Sequence, residues 1–301
     1  MRSTAPSNEQ DALFEFFFDY DFELGWNAPD LYHYRSGSSV SKMFNKDDLI
    51  LRLTAADQFE DKLEGKAVEV YFDITLEKLV RDGKITSEQF KDLSTIDTPD
   101  KALIIHKTDD GMNWAKWEEF ETYVICFSTE KDDPFMYEKY VHNKSTGGFC
   151  IELSGIEIRS LSHLGMDNES IIKLIPVMYG EDTVRYLESQ IMRVAGNPFL
   201  YKNRNQVIGE ILHQIQFSAK RSRYSKENEI RLLMYLAKGD CSDHPNLFRD
   251  KDEEGKIVSK YINFRIPKEM VFNVTADTQN EEHTTKRMMA FFQELGYQFI
   301  Q

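Results

Sequence analysis

The order of strand and helix signals along the chain constrains its fold more than any other feature. Apolar runs typical of strands, such as 121–128 and 147–153, follow each other closely, whereas residues 74–105 and 183–219 carry long helical patterns. Strands and helices therefore do not alternate regularly, as they would in a doubly wound fold. We predict an α+β fold in which long helical insertions interrupt a mixed β-sheet.

Nothing in the sequence divides the chain into separate domains. The 8 prolines and 15 glycines among 301 residues are scattered, and no low-complexity stretch has the composition of a linker. We predict a single domain over residues 27–301, preceded by an N-terminal extension over residues 1–26 that is partly disordered. Within the extension, residues 12–24 are rich in aromatic side chains and carry only negative charges. This segment is predicted either to pack on the domain or to bind a protein partner.

The charge of the chain limits the partners that it is expected to bind. With 37 basic and 51 acidic residues, its formal net charge is −14, which opposes nonspecific binding to nucleic acid or to an anionic membrane. The basic residues at 220–223 form a local exception. Neither a signal peptide nor an apolar run that could span a bilayer is visible, and three widely separated cysteines suit a reducing compartment. We therefore expect a cytoplasmic protein that does not associate with membranes.

The first candidate site motif is the run LYHYRS at residues 31–36, in a predicted strand. Strand alternation places His33 and Arg35 on one face and Tyr32 and Tyr34 on the other. An imidazole and a guanidinium on one face suit a sugar hydroxyl and a pyrophosphate. The alternative is an edge strand in which His33 is an ordinary, hydrogen-bonded polar residue, and the motif alone does not decide between the two interpretations.

The second candidate site motif is the run ENEIR at residues 227–231. Glu227 and Glu229 are two residues apart, so on extended backbone they share a face. A carboxylate pair can stabilise a developing cation and orient a hydroxyl, as glycosyl transfer requires, because its transition state resembles an oxocarbenium ion. The alternative is a solvated strand edge at which Arg231 supplies the counter-charge.

A third candidate is the polar loop over residues 54–65, which follows a predicted strand. Phe59 could stack on a flat heterocycle, and Asp61 and Glu64 could fix the loop or contact ligand hydroxyls, although an acidic surface turn explains the same residues. The seven histidines show no metal-ligand spacing, and the glycine patterns of Rossmann and P-loop proteins are absent. We therefore predict no metal site and no fold of those two classes.

Taken in chain order, these motifs resemble a widespread bacterial family, the one with the domain of unknown function numbered 2971. The resemblance departs from the family pattern at Glu60, Lys62 and Tyr137, where the family has Asn, Pro and Trp. It consists of short matches that occur in the same order, at residues 31–36, 51–54, 59–64, 126–128, 137–140, 147–151 and 220–231.

That family is in turn similar to ADP-ribosyltransferases, which share a strand with Tyr-His and a later strand with Glu-x-Glu. The resemblance implies an ADP-ribosyltransferase-like split mixed β-sheet as the core of the α+β fold, with NAD as the cofactor. It also implies that His33 binds a ribose hydroxyl of NAD, that Glu229 stabilises the oxocarbenium ion as nicotinamide leaves, and that Glu227 orients the acceptor. The implied cofactor-binding residues are Tyr32, His33, Tyr34, Arg35, Ser36, Thr54, Phe59 and Tyr140.

The resemblance therefore implies an NAD-dependent enzyme that transfers ADP-ribose to a protein or nucleic-acid acceptor, as a toxin or in phage defence. An NAD glycohydrolase, in which water replaces the acceptor, is the alternative within the same fold. A non-catalytic nucleotide sensor or interaction protein belongs to a different class, and the acidic aromatic segment 12–24 favours it. An antitoxin or chaperone that keeps a toxic enzyme inactive is a further expected partner.

Overall fold

A computed structural model shows a mixture of strands and helices. It describes residues 28–58, 67–96, 103–108, 111–116, 119–141, 144–164, 170–238 and 244–300. The predicted N-terminal extension, with its segment 12–24, and the loop that contains Phe59 lie outside these residues. Strands and helices are both numerous and do not alternate regularly, which confirms the predicted α+β class.

Strands and helices are numbered separately, in chain order, over the residues that the structure describes. The strands are β1 (Leu31–Ser36), β2 (Asp48–Ala55), β3 (Leu103–Thr108), β4 (Gly111–Lys116), β5 (Phe120–Ser128), β6 (Gly148–Leu153), β7 (Ser170–Pro176), β8 (Met178–Tyr179), β9 (Ala219–Lys220), β10 (Glu229–Ala237), β11 (Leu247–Lys251), β12 (Ile257–Pro267), β13 (Val271–Ala276) and β14 (Phe299–Ile300). The α-helices are α1 (Gly37–Met43), α2 (Ala67–Arg81), α3 (Ser87–Ser94), α4 (Pro134–Tyr140), α5 (Gly155–Leu164), α6 (Glu181–Gly196), α7 (Pro198–Lys202), α8 (Arg204–Gln216) and α9 (Glu282–Leu295). None of these helices combines the length and the apolar character that crossing a bilayer requires.

The chain divides into two compact units, each assembled from separate stretches of sequence. The smaller unit includes residues 60–120 and 177–224, and the larger unit includes residues 24–59, 121–176 and 225–301. The chain passes from one unit to the other several times, so neither unit is a continuous segment. The single domain predicted over residues 27–301 stays a prediction.

The larger unit is built on a ten-stranded mixed sheet. Its strands follow the order β11-β12-β2-β5-β1-β6-β13-β14, while β10, with β7 beyond it, joins the sheet through β5. The β13–β14 pair is parallel, whereas the β1–β6, β2–β12 and β7–β10 pairs are antiparallel. The strand β5 is therefore the branch point of the sheet, with β2, β1 and β10 as its neighbours.

Two strands of this sheet show how the sequence selects buried positions. In β2, Leu49, Leu51 and Leu53 are fully buried while Arg52 is exposed, as expected for a strand with one face on the core. In β10, by contrast, every residue from Glu229 to Leu236 is buried. Because both faces of β10 are covered, its charged residues Glu229 and Arg231 lie inside the protein and require partners there.

The smaller unit is mainly helical and has an apolar core of its own. The helix α3 begins with a reciprocal capping box between Thr86 and Gln89. The side chain of Asn197 caps α7, and Pro198 occupies the first turn of that helix. The helical stretch predicted over residues 183–219 with one break is therefore found as three helices, because Asn197 and Pro198 end α6 and start the short helix α7 before α8.

Candidate functional site

The two predicted motifs meet at one end of β5. The strand β1 pairs with β5 through Tyr32 and Ser128, and β10 also pairs with β5. The turn before β10 is hydrogen-bonded to the same end of β5, since Ser128 Oγ donates to the carbonyl oxygen of Glu227 at 2.9 Å. The N–H of Thr129 likewise donates to the carbonyl oxygen of Asn228 at 2.9 Å. The two motifs, which are distant in the sequence, therefore lie at strands that have β5 as a common neighbour.

His33 has a hydrogen-bond partner on both ring nitrogens. Its Nδ1–H donates to the carbonyl oxygen of Cys126 on β5 at 3.1 Å, and its Nε2 accepts from Nε of Arg35 at 2.9 Å. Because a carbonyl oxygen can only accept, these bonds define the tautomer with the proton on Nδ1. Burial, followed by the charge of Arg35, lowers the pKa of His33 to about 3. At neutral pH His33 is uncharged and its Nε2 is an acceptor.

We expect His33 to make the folded protein less stable as the solution is acidified. Its pKa is about 3 in the folded chain against 6.5 ordinarily, so between these values the unfolded chain binds the extra proton. The stability that depends on neutral His33 is fully present above pH 6.5 and is lost towards pH 3, at up to about 1.4 kcal/mol per pH unit.

Urea unfolding of wild type and His33→Gln, measured between about pH 7 and pH 4, tests this expectation. Glutamine keeps a neutral amide that can donate to the Cys126 carbonyl, but it does not titrate. The free energy of unfolding of the wild type should fall more steeply with acidification than that of the variant. Equal slopes for the two proteins would contradict the assignment of His33 as a buried neutral base.

The two tyrosines of the first motif lie on the opposite face of β1 from His33, as strand alternation predicts. Tyr34 packs edge-on against Tyr137 of α4, with 4.9 Å between the ring centroids. Its hydroxyl hydrogen-bonds to the backbone of the 130–133 turn. Tyr32 is buried in the same apolar cluster. The structure therefore uses both tyrosines to attach α4 to the sheet and does not bring them together with His33; their contact with a cofactor stays a prediction.

The other predicted cofactor-binding residues lie at separate places. Ser36 ends β1 and precedes α1, where its hydroxyl contacts the hydroxyls of the first helical turn. Thr54 lies on β2, opposite Val124 of β5 and opposite Tyr261 of β12, and it is half-buried. Phe59 falls outside the residues that the structure describes.

Glu227 is completely buried, and its carboxylate is directed at α4. One carboxylate oxygen accepts from Nζ of Lys139, and the other accepts from the hydroxyl of Tyr140 at 2.9 Å. Glu227 ends a 3₁₀ turn, and Asn228 then adopts a φ of 41°, in the left-handed region that asparagine tolerates. The expectation that Glu227 and Glu229 share a face of extended backbone is therefore wrong, because the chain turns at Asn228 and the strand begins at Glu229.

Glu229 forms a buried ion pair with Arg231. The Nε of Arg231 donates to Oε1 of Glu229 at 2.6 Å, and the two side chains are 1% and 3% exposed. Residues two apart on a strand share a face, which brings the two charges together. The alternative interpretation of residues 227–231 is confirmed in that Arg231 supplies the counter-charge to Glu229. It is wrong in describing a solvated strand edge, since Glu227 and Glu229 are both buried.

Tyr140 of α4 contacts the motif at residues 227–231, because its hydroxyl donates to Glu227 at 2.9 Å. Burial raises the pKa of Tyr140 well above its usual range, and the carboxylates of Glu227 and Glu229 raise it further. Burial lowers the pKa of Arg35, and the nearby Tyr140 acts in the opposite direction. The two motifs have β5 as a common neighbour, and their convergence on one ligand stays a prediction.

We expect Tyr140→Phe to lower the free energy of unfolding by about 1–3 kcal/mol, because a buried carboxylate then loses a hydrogen bond. Tyr201→Phe is a matched control, since its hydroxyl donates at 3.0 Å to Asp92, whose side chain is 35% exposed. Water can replace the lost donor at Asp92 but not at Glu227. Urea unfolding followed by circular dichroism measures both changes, and an equal loss in the two variants would contradict the assigned role of Tyr140.

Sequence reasoning did not identify Lys139 and Arg52 as residues of this region. Lys139 pairs with Glu227 from 88 residues away, and nothing in the local sequence indicates that partner. The sequence pattern could have identified Arg52, because it is the one charged residue within the apolar run 49–53 of a predicted strand. In the structure it occupies an outward position of β2 and stacks on Tyr261, with Cζ 3.7 Å from the ring centroid.

Comparison of the chain with protein-family models, with curated proteins and with solved structures finds no match. The resemblance to the bacterial family and to ADP-ribosyltransferases therefore stays a prediction that depends on the short motifs alone. The geometry around His33, Tyr140 and Glu229 provides an independent basis for a functional proposal.

Proposed function

We propose that this chain is an NAD-dependent ADP-ribosyltransferase and that its ten-stranded sheet is the split sheet of an ADP-ribosyltransferase-like fold. The observation that supports the proposal is that β1, which carries neutral His33 beside Arg35, and β10, which carries buried Glu229, are both neighbours of β5 in the sheet. A neutral imidazole suits a ribose hydroxyl, a guanidinium suits a pyrophosphate, and a carboxylate suits a developing cation. NAD carries all three of these chemical features.

In the proposed reaction, the bond between the ribose C1′ and the nicotinamide nitrogen breaks, and its electron pair leaves with nicotinamide. The ribose then resembles an oxocarbenium ion, which the carboxylate of Glu229 stabilises. Arg231 orients that carboxylate through its 2.6 Å hydrogen bond. The acceptor atom supplies an electron pair to C1′, forms the new bond and releases its proton.

Glu227 has a different role in this proposal from the one that the resemblance implies. Because its two carboxylate oxygens accept from Lys139 and Tyr140, it acts on α4 rather than on an acceptor. Glu227 is therefore a positioning residue, which fixes the Tyr140 phenol and the Lys139 ammonium of α4 next to the start of β10. His33 receives a ribose hydroxyl at Nε2, and because that nitrogen accepts from Nε of Arg35, the binding of NAD requires Arg35 to move.

The proposal is tested against its two alternatives by incubating the purified protein with a bacterial lysate and with NAD that is labelled in its adenylate half. Label on protein or nucleic acid is the expected result. Release of nicotinamide with label only in free ADP-ribose would show that the activity is that of an NAD glycohydrolase and not of a transferase. Saturable NAD binding without release of nicotinamide would replace both by a nucleotide sensor. If NAD neither binds nor is consumed, the proposal fails altogether.

A further inference from the structure

A cavity of about 500 Å³ lies in the larger unit, between α4, the start of β6 and the turn that follows β13. Pockets for small ligands and single side chains have volumes of about 300–1,000 Å³. The lining includes neither His33 nor Glu229. Three of its residues, Pro134, Glu138 and Gln279, are exposed, so the cavity is open to solvent.

The cavity and the contacts to Glu227 involve different sides of α4. Pro134 and Glu138, which line the cavity, are four residues apart and therefore share one side of the helix. Lys139 and Tyr140 follow Glu138 at angles of about 100° and 200° around the helix axis, and these two residues bind Glu227. The cavity is therefore separate from the groups of the proposed reaction.

Gly148, the first residue of β6, forms the floor of the cavity. A Cβ at this position would lie 2.9 Å from Cδ1 of Tyr137 and 3.1 Å from Cγ2 of Val141. It would also lie 3.2 Å from Cβ of Asp277. The side-chain amide of Asn280 accepts from the N–H of Gly148 and donates to its carbonyl oxygen, each at 2.7 Å. The absence of a side chain at Gly148 therefore lets α4 and the turn after β13 approach the same point of the sheet.

The lining combines an apolar wall with two carboxylates and contains no basic residue. Phe135 and Val141 belong to the wall, and Glu138 and Asp277 supply the carboxylates. Over the described parts of the chain, neither carboxylate has a cationic group within ion-pair distance. Asp277 uses Oδ1 to accept from the N–H of Gln279 at 3.0 Å. In a chain with a net charge of −14, such a cavity favours a cation and disfavours an anion.

Two lysines approach Phe135 from outside the lining. The Nζ atoms of Lys139 and Lys226 each lie 6.0 Å from the centroid of its ring. Lys139 is bound to Glu227, and neither lysine lines the cavity. Their positions show that the ring of Phe135 attracts cations, as expected from the negative charge on the face of an aromatic ring.

We propose that this cavity binds an arginine side chain of a protein partner, as a docking site that does not depend on the proposed function. A guanidinium is flat, so it can stack on an aromatic ring while the N–H groups at its edge donate to carboxylates. Its stem of three methylene groups suits the apolar wall. An ammonium group is more strongly hydrated and has no flat face, so a lysine side chain fits less well.

The same lining favours an arginine within a polypeptide over free arginine. Free arginine carries an α-carboxylate, and the lining offers no cation to pair with it. In a polypeptide that carboxylate is part of a neutral peptide bond. The occupant of the cavity is therefore a side chain of a protein and not a small guanidino compound.

Calorimetric titration with arginine that is acetylated at its amino group and amidated at its carboxyl group tests the ligand. The matched compound is citrulline with the same blocked ends, in which a neutral urea replaces the guanidinium. Citrulline should bind at least about tenfold more weakly than arginine. Blocked lysine and free arginine should also bind more weakly than blocked arginine.

Several results of these titrations would contradict the proposal. No binding of blocked arginine, or equal binding of blocked citrulline, would overturn the site. Equal binding of blocked lysine would overturn the preference for a guanidinium. Free arginine that binds as tightly as the blocked form would overturn the assignment to a protein partner.

Two variants locate the binding in the cavity. Asp277→Asn removes one charge but keeps the oxygen that accepts from Gln279, and Glu138→Gln changes an exposed side chain. Each should weaken the binding of blocked arginine at least about fivefold. Glu281→Gln is the matched control, because Glu281 is four residues from Asp277, is 77% exposed and does not line the cavity.

The Glu281→Gln control should bind blocked arginine like the wild type. An equal loss in all three variants would indicate nonspecific attraction to a negative surface and would overturn the site. Wild-type affinity in both Asp277→Asn and Glu138→Gln would overturn it as well. None of these measurements uses NAD, so the docking site and the proposed transferase activity can fail independently of each other.

Discussion

Glu229→Gln is expected to lower the rate of ADP-ribose transfer about 10²–10³-fold, the loss typical when one preorganised electrostatic group is removed from a transition state. The amide of glutamine has nearly the shape of the carboxylate but no negative charge to oppose the oxocarbenium ion. The ground state of NAD lacks that developing charge, so NAD binding should change by only a few-fold. Single-turnover rates with labelled NAD, together with NAD binding by calorimetry, separate the two effects.

Glu121→Gln is the matched control for this prediction. Glu121 is another glutamate of the same sheet with a cationic partner, since Lys260 Nζ lies 2.8 Å from its Oε1. The control should transfer ADP-ribose at the wild-type rate. A Glu229→Gln protein that is folded and transfers at the wild-type rate would remove Glu229 from the chemistry, and a rate loss shared by both variants would show a general structural effect.

Arg231→Met is expected to lower the free energy of unfolding by about 3–5 kcal/mol, because it leaves the buried carboxylate of Glu229 without its cation. Arg231 is 1% exposed, so water cannot replace the lost charge. Methionine fills most of the space of the arginine stem, which limits any contribution from a cavity. Urea unfolding at neutral pH, followed by circular dichroism, measures the loss.

The double variant Arg231→Met/Glu229→Gln separates the loss of the ion pair from the loss of packing. Because the amide is neutral, the double variant should recover a large part of the stability that Arg231→Met loses. Arg265→Gln, which breaks the surface contact with Asp48, should cost less than about 1 kcal/mol. If the double variant is no more stable than Arg231→Met, the loss does not come from an uncompensated Glu229 charge.

Local sequence patterns were sufficient to predict those strands and helix boundaries that depend mainly on residues adjacent in the sequence. The run 121–128 was predicted as a strand and is found as Phe120–Ser128, and the break at Asn197 and Pro198 was predicted within the helical stretch. The helix predicted over residues 74–105 is wrong at its end. Residues Leu103–Thr108 form a strand paired with Gly111–Lys116, and only that pairing decides between helix and strand for a short apolar run.

The sequence by itself determined the α+β class, the opposite faces of His33 and Tyr34 on β1, and the residue types available for chemistry. These follow from the twofold period of a strand, which is a local property of the backbone. The sequence could not determine that β1 and β10 both pair with β5, or that the chain turns at Asn228 between the two glutamates.

Only the tertiary structure decided the partners of each charged or titratable group. Lys139 and Tyr140 reach Glu227 from α4, the Cys126 carbonyl fixes the tautomer of His33, and Arg52 stacks on Tyr261 of β12. The physical reason is that the charge state and hydrogen bonds of a buried group depend on what surrounds it in space. Those surroundings come from strands and helices that are distant in the sequence.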